Sequence, residues 1–306
     1  MGLITMNTEA DNLKSPGSSL GERIVTYGRM IRFSHTIFAL PFALAAVVLA
    51  NRQVPLTLYG LTWILVAMVA ARSAAMGFNR IVDAQLDAKN PRTAMREIPA
   101  GKLSRKAAIT FVAVSAALFI LAAAMLGQLC LALSLPVLVV LCLYSYTKRF
   151  TWLAHLYLGF AISLAPLGAW IALTNSFSGS ILILCLALMT YITGFDILYA
   201  CQDTGFDRSE GLYSIPARFG NKKALMAARV VHLISWGCLM WVGVAFQLGL
   251  IYFGTGLFIG ILFIIEHRLV NPDDLSKIDL AFFNVNSTVS VVLFLGILVD
   301  ELIHLW

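Results

Sequence analysis

The sequence predicts an all-α, polytopic membrane protein: nine transmembrane helices, arranged as a four-helix repeat plus one, beneath a polar cap. Three observations carry that expectation. Apolar runs of about 20 residues, the length that spans a bilayer core, follow one another from residue 33 to residue 304. Of the 306 residues, 59% are hydrophobic and only 12% charged, where soluble domains carry about 25%, and the mean hydropathy is +0.84. An acidic motif closing one apolar run recurs 120 positions later at the close of another.

Residues 1–18, with Glu9, Asp11, Lys14 and a Ser-Pro-Gly stretch, read as a disordered segment. They lack the apolar core of a signal peptide and the acid-poor composition of a transit peptide. Residues 19–306 read as one transmembrane domain. Ser19-Leu20-Gly21-Glu22 has capping-box spacing and predicts a short helix. Its Leu20, Ile24, Tyr27 and Ile31 either lie along the membrane surface or extend the first span. Spans follow at 33–50, 57–79, 107–126, 129–146, 153–174, 181–201, 224–246, 250–266 and 280–304. Turn signals at Asn51 to Pro55, Gly127-Gln128, Asn175 to Gly179 and Gln247 to Gly249 separate them. The shortest links make spans three and four, and seven and eight, antiparallel neighbours. Pro41, Pro136 and Pro166 fall within spans, where neighbouring helices satisfy the freed carbonyls.

Arg52, Arg72 and Arg229 aside, every one of the 22 Lys and Arg falls in the N-terminal segment or the loops after spans two, four, six and eight. The positive-inside rule then places the N-terminus and the polar cap on the cytoplasmic side of the cell membrane and the C-terminus outside. The same rule accounts for the net charge of +6 without a nucleic-acid partner. Cys130, Cys142, Cys185, Cys201 and Cys238 form no C-x-x-C and fit neither a disulfide framework nor a zinc site. The five histidines form no H-x-x-x-H or H-E-x-x-H, so haem and zinc lack support.

Asn79, Asp83 and Asp87 stand four residues apart, a spacing that stacks three oxygen-bearing side chains on one helix face. Carboxylate and amide oxygens suit a hard cation such as Mg2+. Tyr199, Asp203 and Asp207 repeat the spacing at offset 120, which also carries His35 to His155. Offset 119 carries Lys148-Arg149 to His267-Arg268, and Ile98-Pro99-Ala100 recurs as Ile215-Pro216-Ala217. This is an internal duplication, with pseudo-repeats of about 30–150 and 151–270. Two facing acid clusters repel unless cations lie between them. A diphosphate bridged by Mg2+ fits, because metal joins carboxylate to phosphate while Arg and Lys take the remaining oxygens. Arg80, Lys89, Arg92, Arg96, Lys102, Lys148 and Arg218 are the available cations, with Arg92, Arg96 and Lys148 the expected ligands. An apolar bundle below such a head group suits an isoprenyl tail. Metal makes the diphosphate a better leaving group, and the allylic cation left behind needs shielding from water.

The N-x-x-x-D-x-x-x-D at Asn79, Asp83 and Asp87, the Y-x-x-x-K at Tyr144 and Lys148, and the D-x-x-x-D at Asp203 and Asp207 resemble the UbiA-type intramembrane prenyltransferases. The resemblance runs from about residue 25 to the last span. It implies nine helices, two Mg2+ ions on the Asn79, Asp83, Asp87, Asp203 and Asp207 motifs, a polyprenyl diphosphate donor and an aromatic acceptor. Phe33 to Pro41, Asn90-Pro91-Arg92-Thr93-Ala94 and Ser214 to Gly220 are similar to the 4-hydroxybenzoate polyprenyltransferases and to the related enzyme of the futalosine route to menaquinone. Arg80 departs from the pattern, since many members have Asp directly after the motif Asn. The implied activity is Mg2+-dependent prenylation of a hydroxy-aryl acid in ubiquinone or menaquinone biosynthesis, with the bilayer as surroundings and no obligatory protein partner. Haem, chlorophyll and glycerol-phosphate ether lipids are the competing acceptors. A secondary transporter is the competitor from another class, but transporter sites sit at the midplane of inverted repeats. Here each repeat has four spans, so the copies share orientation.

Deeper in the bundle, Arg72 lies two helical turns below Asn79, and Asp196 stands likewise to Asp203. Intramembrane ionisable residues point to function. Arg72 either receives an acceptor carboxylate or pairs with Asp196, and Asp196 alternatively orients the acceptor phenol or takes the ring proton. Tyr199 contacts diphosphate or anchors the interface. His35 and His155 are expected to cap helices or bond the cap loops rather than bind metal.

Overall fold

The computed structural model describes residues 20–272 and 274–304, so the expectation for residues 1–18 lies outside it. A short helix α1 (Leu20–Met30) leads through a 3-10 turn (Phe33–Phe38) into α2 (Leu40–Ala50). Then come α3 (Leu58–Lys89), α4 (Arg105–Leu126), α5 (Gln128–Thr147) and α6 (Ala154–Thr174). The second half has α7 (Gly179–Ala200), the cap helices α8 (Thr204–Ser209) and α9 (Ile215–Phe219), α10 (Asn221–Ala245), α11 (Leu250–Leu269), and a π turn (Leu280–Val285) leading into α12 (Asn286–His304). Among the described residues, nine helical segments are long and apolar enough to cross a membrane.

Local chemistry sets the helix starts. Thr57 caps α3 by accepting from Gly60 N (3.0 Å), and Ser104 caps α4 by accepting from Ala107 N (3.2 Å). Pro41 lies within the first span, as expected, but that span opens as a 3-10 turn and Pro41 falls in the first turn of α2, where its missing N–H costs nothing. Pro136 and Pro166 do lie inside α5 and α6.

Between helices the lipid supplies no hydrophobic driving force, so close approach and packing hold the bundle. Glycine permits that approach at two crossings of α7. A Cβ on Gly159 would strike the Met189 carbonyl, and one on Gly194 would strike the His232 ring. Phe42, Trp170, Tyr191, Leu239 and Tyr252 fill the core among α2, α6, α7, α10 and α11. Leu118, Leu135, Leu257 and Ile264 remain exposed on the rim, where acyl chains would meet them.

On the other side of the bundle, α3, α4, α5 and α6 do not close on one another. They leave an apolar cavity of about 300 Å3 walled largely by alanine and leucine. Arg72, Tyr144 and Thr36 lie at one end of it, and Leu126 and Phe177 at the other. The cavity therefore runs most of the bundle's depth, with its guanidinium and phenol groups, Arg72 and Tyr144, at the end nearer Asn79.

Candidate active site

Helix α3 positions the first acid arm by running ten residues past the predicted end of its span, so that Asn79, Asp83 and Asp87 share one unbroken helix. All three are buried. Asp83, 2% exposed, accepts from Lys148 Nζ (2.6 Å), Asn79 Nδ2 (3.0 Å) and Arg149 Nη2 (3.1 Å). Lys148 and Arg149 reach it because α5 ends beside α3, and Arg149 also donates to Val82 O (3.1 Å). Asn79, its amide nitrogen turned to Asp83 and, more weakly, to Ser145 Oγ (3.5 Å), leaves its carbonyl oxygen as the metal-type donor.

The loop after α3 folds back over the arm. Arg96 Nη1 holds Asp87 Oδ1 (2.6 Å) and Thr93 Oγ1 donates to Asp87 O (3.0 Å). The same loop reaches the second acid arm: Asn90 Nδ2 donates to Asp203 Oδ1 (3.0 Å), and Arg92 grips Asp203 through both Nε (2.9 Å) and Nη2. Burial works against the Arg92 charge, but the Asp203 hydrogen bonds and negative charge outweigh it and hold the guanidinium above its ordinary range. Arg92 also donates to Tyr199 Oη (3.0 Å).

The second arm corrects one expectation. Tyr199, Asp203 and Asp207 do not share a single α-helix: α7 stops at Ala200, a 3-10 turn spans Cys201–Asp203, and α8 begins at Thr204. Thr204 opens α8, its hydroxyl within hydrogen-bonding distance of Cys201 O (3.0 Å) and Asn221 Oδ1 (2.7 Å). Asp207 lies within hydrogen-bonding reach of Ser214 and in the field of Asp203 and Lys148. The loop beyond it is tied to the first half where Tyr213 N donates to Lys148 O (2.7 Å) and Lys89 Nζ meets Glu210 (2.6 Å).

Arg72 and Asp196 do not pair. Arg72 Nη2 is drawn instead to the carbonyls of Arg32 (3.0 Å) and Ile31 (3.5 Å), which the left-handed backbone of Arg32 (φ 47°) places there. Its Nε is buried with no partner, at the rim of the cavity. Asp196 instead meets His155 Nδ1 at 2.7 Å. Tyr144, on the same rim, is within electrostatic reach of both Asp83 and Asp196. Arg80 turns away from the acids' open side and donates to Met30 O (3.0 Å). His35 sits in an aromatic cluster with Phe38, Phe282 and Phe283.

Sequence reasoning under-read four residues: Asn90 as a ligand of Asp203, Arg149 as a partner of Asp83, Ser145 beside Asn79, and Arg32 beside Tyr199. Arg149 is half of the repeated Lys148-Arg149 pair and Asn90 opens the Asn90-Pro91-Arg92-Thr93-Ala94 stretch, so the sequence marked both residues but not the acids they hold.

The donor chemistry fits a hard cation. Asp87 Oδ2 is buried without a hydrogen-bond partner, one helical turn from Asp83, whose carboxylate Lys148 and Arg149 satisfy as Arg92 does that of Asp203. Among the described residues, no three His, Cys, Asp or Glu form a ready cage. Mg2+ is usually bound in that way, through one or two carboxylates with water and substrate phosphate completing the shell.

The comparisons agree with this arrangement. The pattern described as the UbiA prenyltransferase family matches residues 39–288. A 4-hydroxybenzoate octaprenyltransferase of Vibrio parahaemolyticus is 30% identical, with the match covering 74% of this chain and 80% of that protein. The apo structure of a UbiA homolog from Aeropyrum pernix superposes with a TM-score of 0.79 at 33% identity, over 87% of this chain and 98% of that one. A UbiA homolog from Archaeoglobus fulgidus bound to GPP and Mg2+ shares the fold, with a TM-score of 0.69 at 17% identity over 90% of this chain and 99% of that one. With more than two thirds of its length matched, and both acid arms within the match, this chain belongs to the UbiA prenyltransferase family.

Proposed function

We propose that this protein transfers a polyprenyl group from its allylic diphosphate to the ring of a hydroxy-aryl acid, either 4-hydroxybenzoate or a dihydroxynaphthoate, in ubiquinone or menaquinone biosynthesis. The observation that carries the reading is the bridging of both acid arms by one loop, through Arg96 on Asp87 and Arg92 on Asp203, near the polar end of an apolar cavity. Carboxylates there suit Mg2+, the guanidinium and ammonium groups suit phosphate oxygens, and the cavity suits a hydrocarbon tail.

Asn79, Asp83 and Asp87 on one arm and Asp203 and Asp207 on the other would hold two Mg2+ ions. When bound, Mg2+ draws charge from the diphosphate and makes it a better leaving group. Arg92, Arg96 and Lys148 would exchange their carboxylate partners for phosphate oxygens as the donor enters. Tyr199 and Tyr144 then orient the head group and the first carbons of the tail. Arg72, whose Nε lacks a partner, receives the acceptor carboxylate. The C–O bond to diphosphate breaks, the ring carbon ortho to the phenol forms the new C–C bond, and Asp196 takes the ring proton. Alanine and leucine walls keep water from the allylic cation. We further propose one domain over residues 19–306 made of the two pseudo-repeats, in the cell membrane, with the cap and N-terminus cytoplasmic.

Membranes containing the protein, incubated with labelled prenyl diphosphate and either 4-hydroxybenzoate or 1,4-dihydroxy-6-naphthoate, test the reading. A Mg2+-dependent prenylated product from one of the two acids is expected. Product formed only with a haem, chlorophyllide or glycerol-phosphate acceptor would replace this acceptor assignment.

A further inference from the structure

We infer that His155 is a positioning residue for Asp196, an inference that rests on the reading of Asp196 as the group that takes the ring proton. His155, at the start of α6, is 5% exposed. Its Nδ1 lies 2.7 Å from Asp196 Oδ2, and its Nε2 lies 3.3 Å from Ile215 N. A backbone N–H can only donate, so Nε2 must accept, and the ring proton therefore sits on Nδ1, aimed at Asp196. The tautomer is fixed from the cap side, and it presents Asp196 with a donor and nothing else.

Three elements meet at this ring. Helix α6 carries it, α7 carries Asp196, and Ile215 opens α9 in the cap segment whose Ser214 lies within reach of Asp207. His155 O also lies 3.4 Å from Thr193 Oγ1 on α7, whose proton goes to Met189 O (2.7 Å), so α6 and α7 touch at the level of Asp196. With one carboxylate oxygen pinned, the other is directed by default. Tyr144, on the cavity rim, feels the Asp196 charge and marks the side on which the acceptor would lie. The first half has no equivalent. His35, at the matching offset, packs among phenylalanine rings, and the position matching Asp196 is Met76. Proton removal is thus built on one side only.

Two isosteres separate the two bonds. In His155→Asn the amide nitrogen takes the place of Nδ1 and keeps the donor to Asp196. In His155→Gln the amide oxygen takes the place of Nε2 and keeps only the acceptor for Ile215. The full-length protein in nanodiscs is assayed for kcat, for the KM of each substrate and for Mg2+-dependent binding of a non-hydrolysable prenyl diphosphate. We expect His155→Gln to lower kcat by at least about tenfold, as small misplacements of a reacting group do, with donor binding unchanged. His155→Asn should retain at least about a third of kcat, and Asp196→Asn should lose about 100-fold, the lower range for a general base. Equal losses in the two His155 variants, or a larger loss in His155→Asn, would overturn the positioning role and leave His155 a strap for the cap. Full activity in Asp196→Asn would instead end the reading of Asp196 itself.

Discussion

The arm carrying Asp83 and Asp87 is rigid and neutralised by its own neighbours, whereas the arm carrying Asp203 and Asp207 bends and borrows its counter-charge from the opposite half. Asp83 and Asp87 stand on unbroken α3, with side chains only 3% and 8% exposed, and draw on Lys148, Arg149 and Arg96. Asp203 ends a 3-10 turn, is 17% exposed, and is held by Asn90 and Arg92 from the loop after α3. Equal spacing along the chain therefore yields a preformed half and an adjustable half. On the proposed function both arms would release basic partners as a head group arrives, Arg96 and Lys148 from the first and Arg92 from the second, but Arg92 is the only ion-pair partner of Asp203 among the described residues.

That difference gives an ordered set of expected effects. Asp83→Asn should be the most severe, lowering prenyl transfer by about 1000-fold. It should also cost about 1–3 kcal/mol of stability, because both Lys148 and Arg149, each partly solvated, share this one buried carboxylate and would both lose it. Thermal unfolding in detergent reads the second effect. Asp203→Asn should lower the rate by about 100-fold, but with a stability change within about 1 kcal/mol, since its pair with Arg92 is partly solvated. A stability loss matching that of Asp83→Asn would erase the distinction between the arms. Arg92→Ala should raise the KM for the prenyl diphosphate by about tenfold and change kcat less, the pattern of lost binding shared by ground and transition states. Smallest is Lys89→Ala: its pair with Glu210 joins the two halves but is 60% exposed on the lysine side, so stability should move by less than about 1 kcal/mol.

Much of this was legible in the residues. Span length and charge depletion gave the bundle, and the repeated four-residue spacing singled out the acids that the fold gathers at the cap. The bend of the second arm was not legible. The turn between α7 and α8 falls inside the repeated four-residue spacing, and hydropathy carries no trace of it. Long-range pairing was equally hidden. Arg72 and Asp196 each sit two turns below an arm, which made them natural partners, yet each found a nearer one. Arg72 took the Ile31 and Arg32 carbonyls, and Asp196 took His155. The extension of α3 to Lys89 was legible only in the four-residue spacing of Asn79, Asp83 and Asp87, since the apolar run that sets the span ends at Asn79.

On the proposed function, both arms grip one Mg2+–diphosphate head group. The most direct test is the dissociation constant of a non-hydrolysable prenyl thiodiphosphate, measured by calorimetry on the protein in nanodiscs, with Mg2+ and after its removal by chelation. Comparison with Asp87→Asn and Asp203→Asn completes it. The account predicts weaker binding of about tenfold or more on Mg2+ removal, and weaker Mg2+-dependent binding in each variant. Mg2+-dependent binding of wild-type strength in either variant would contradict it, because that arm would then lie outside the site.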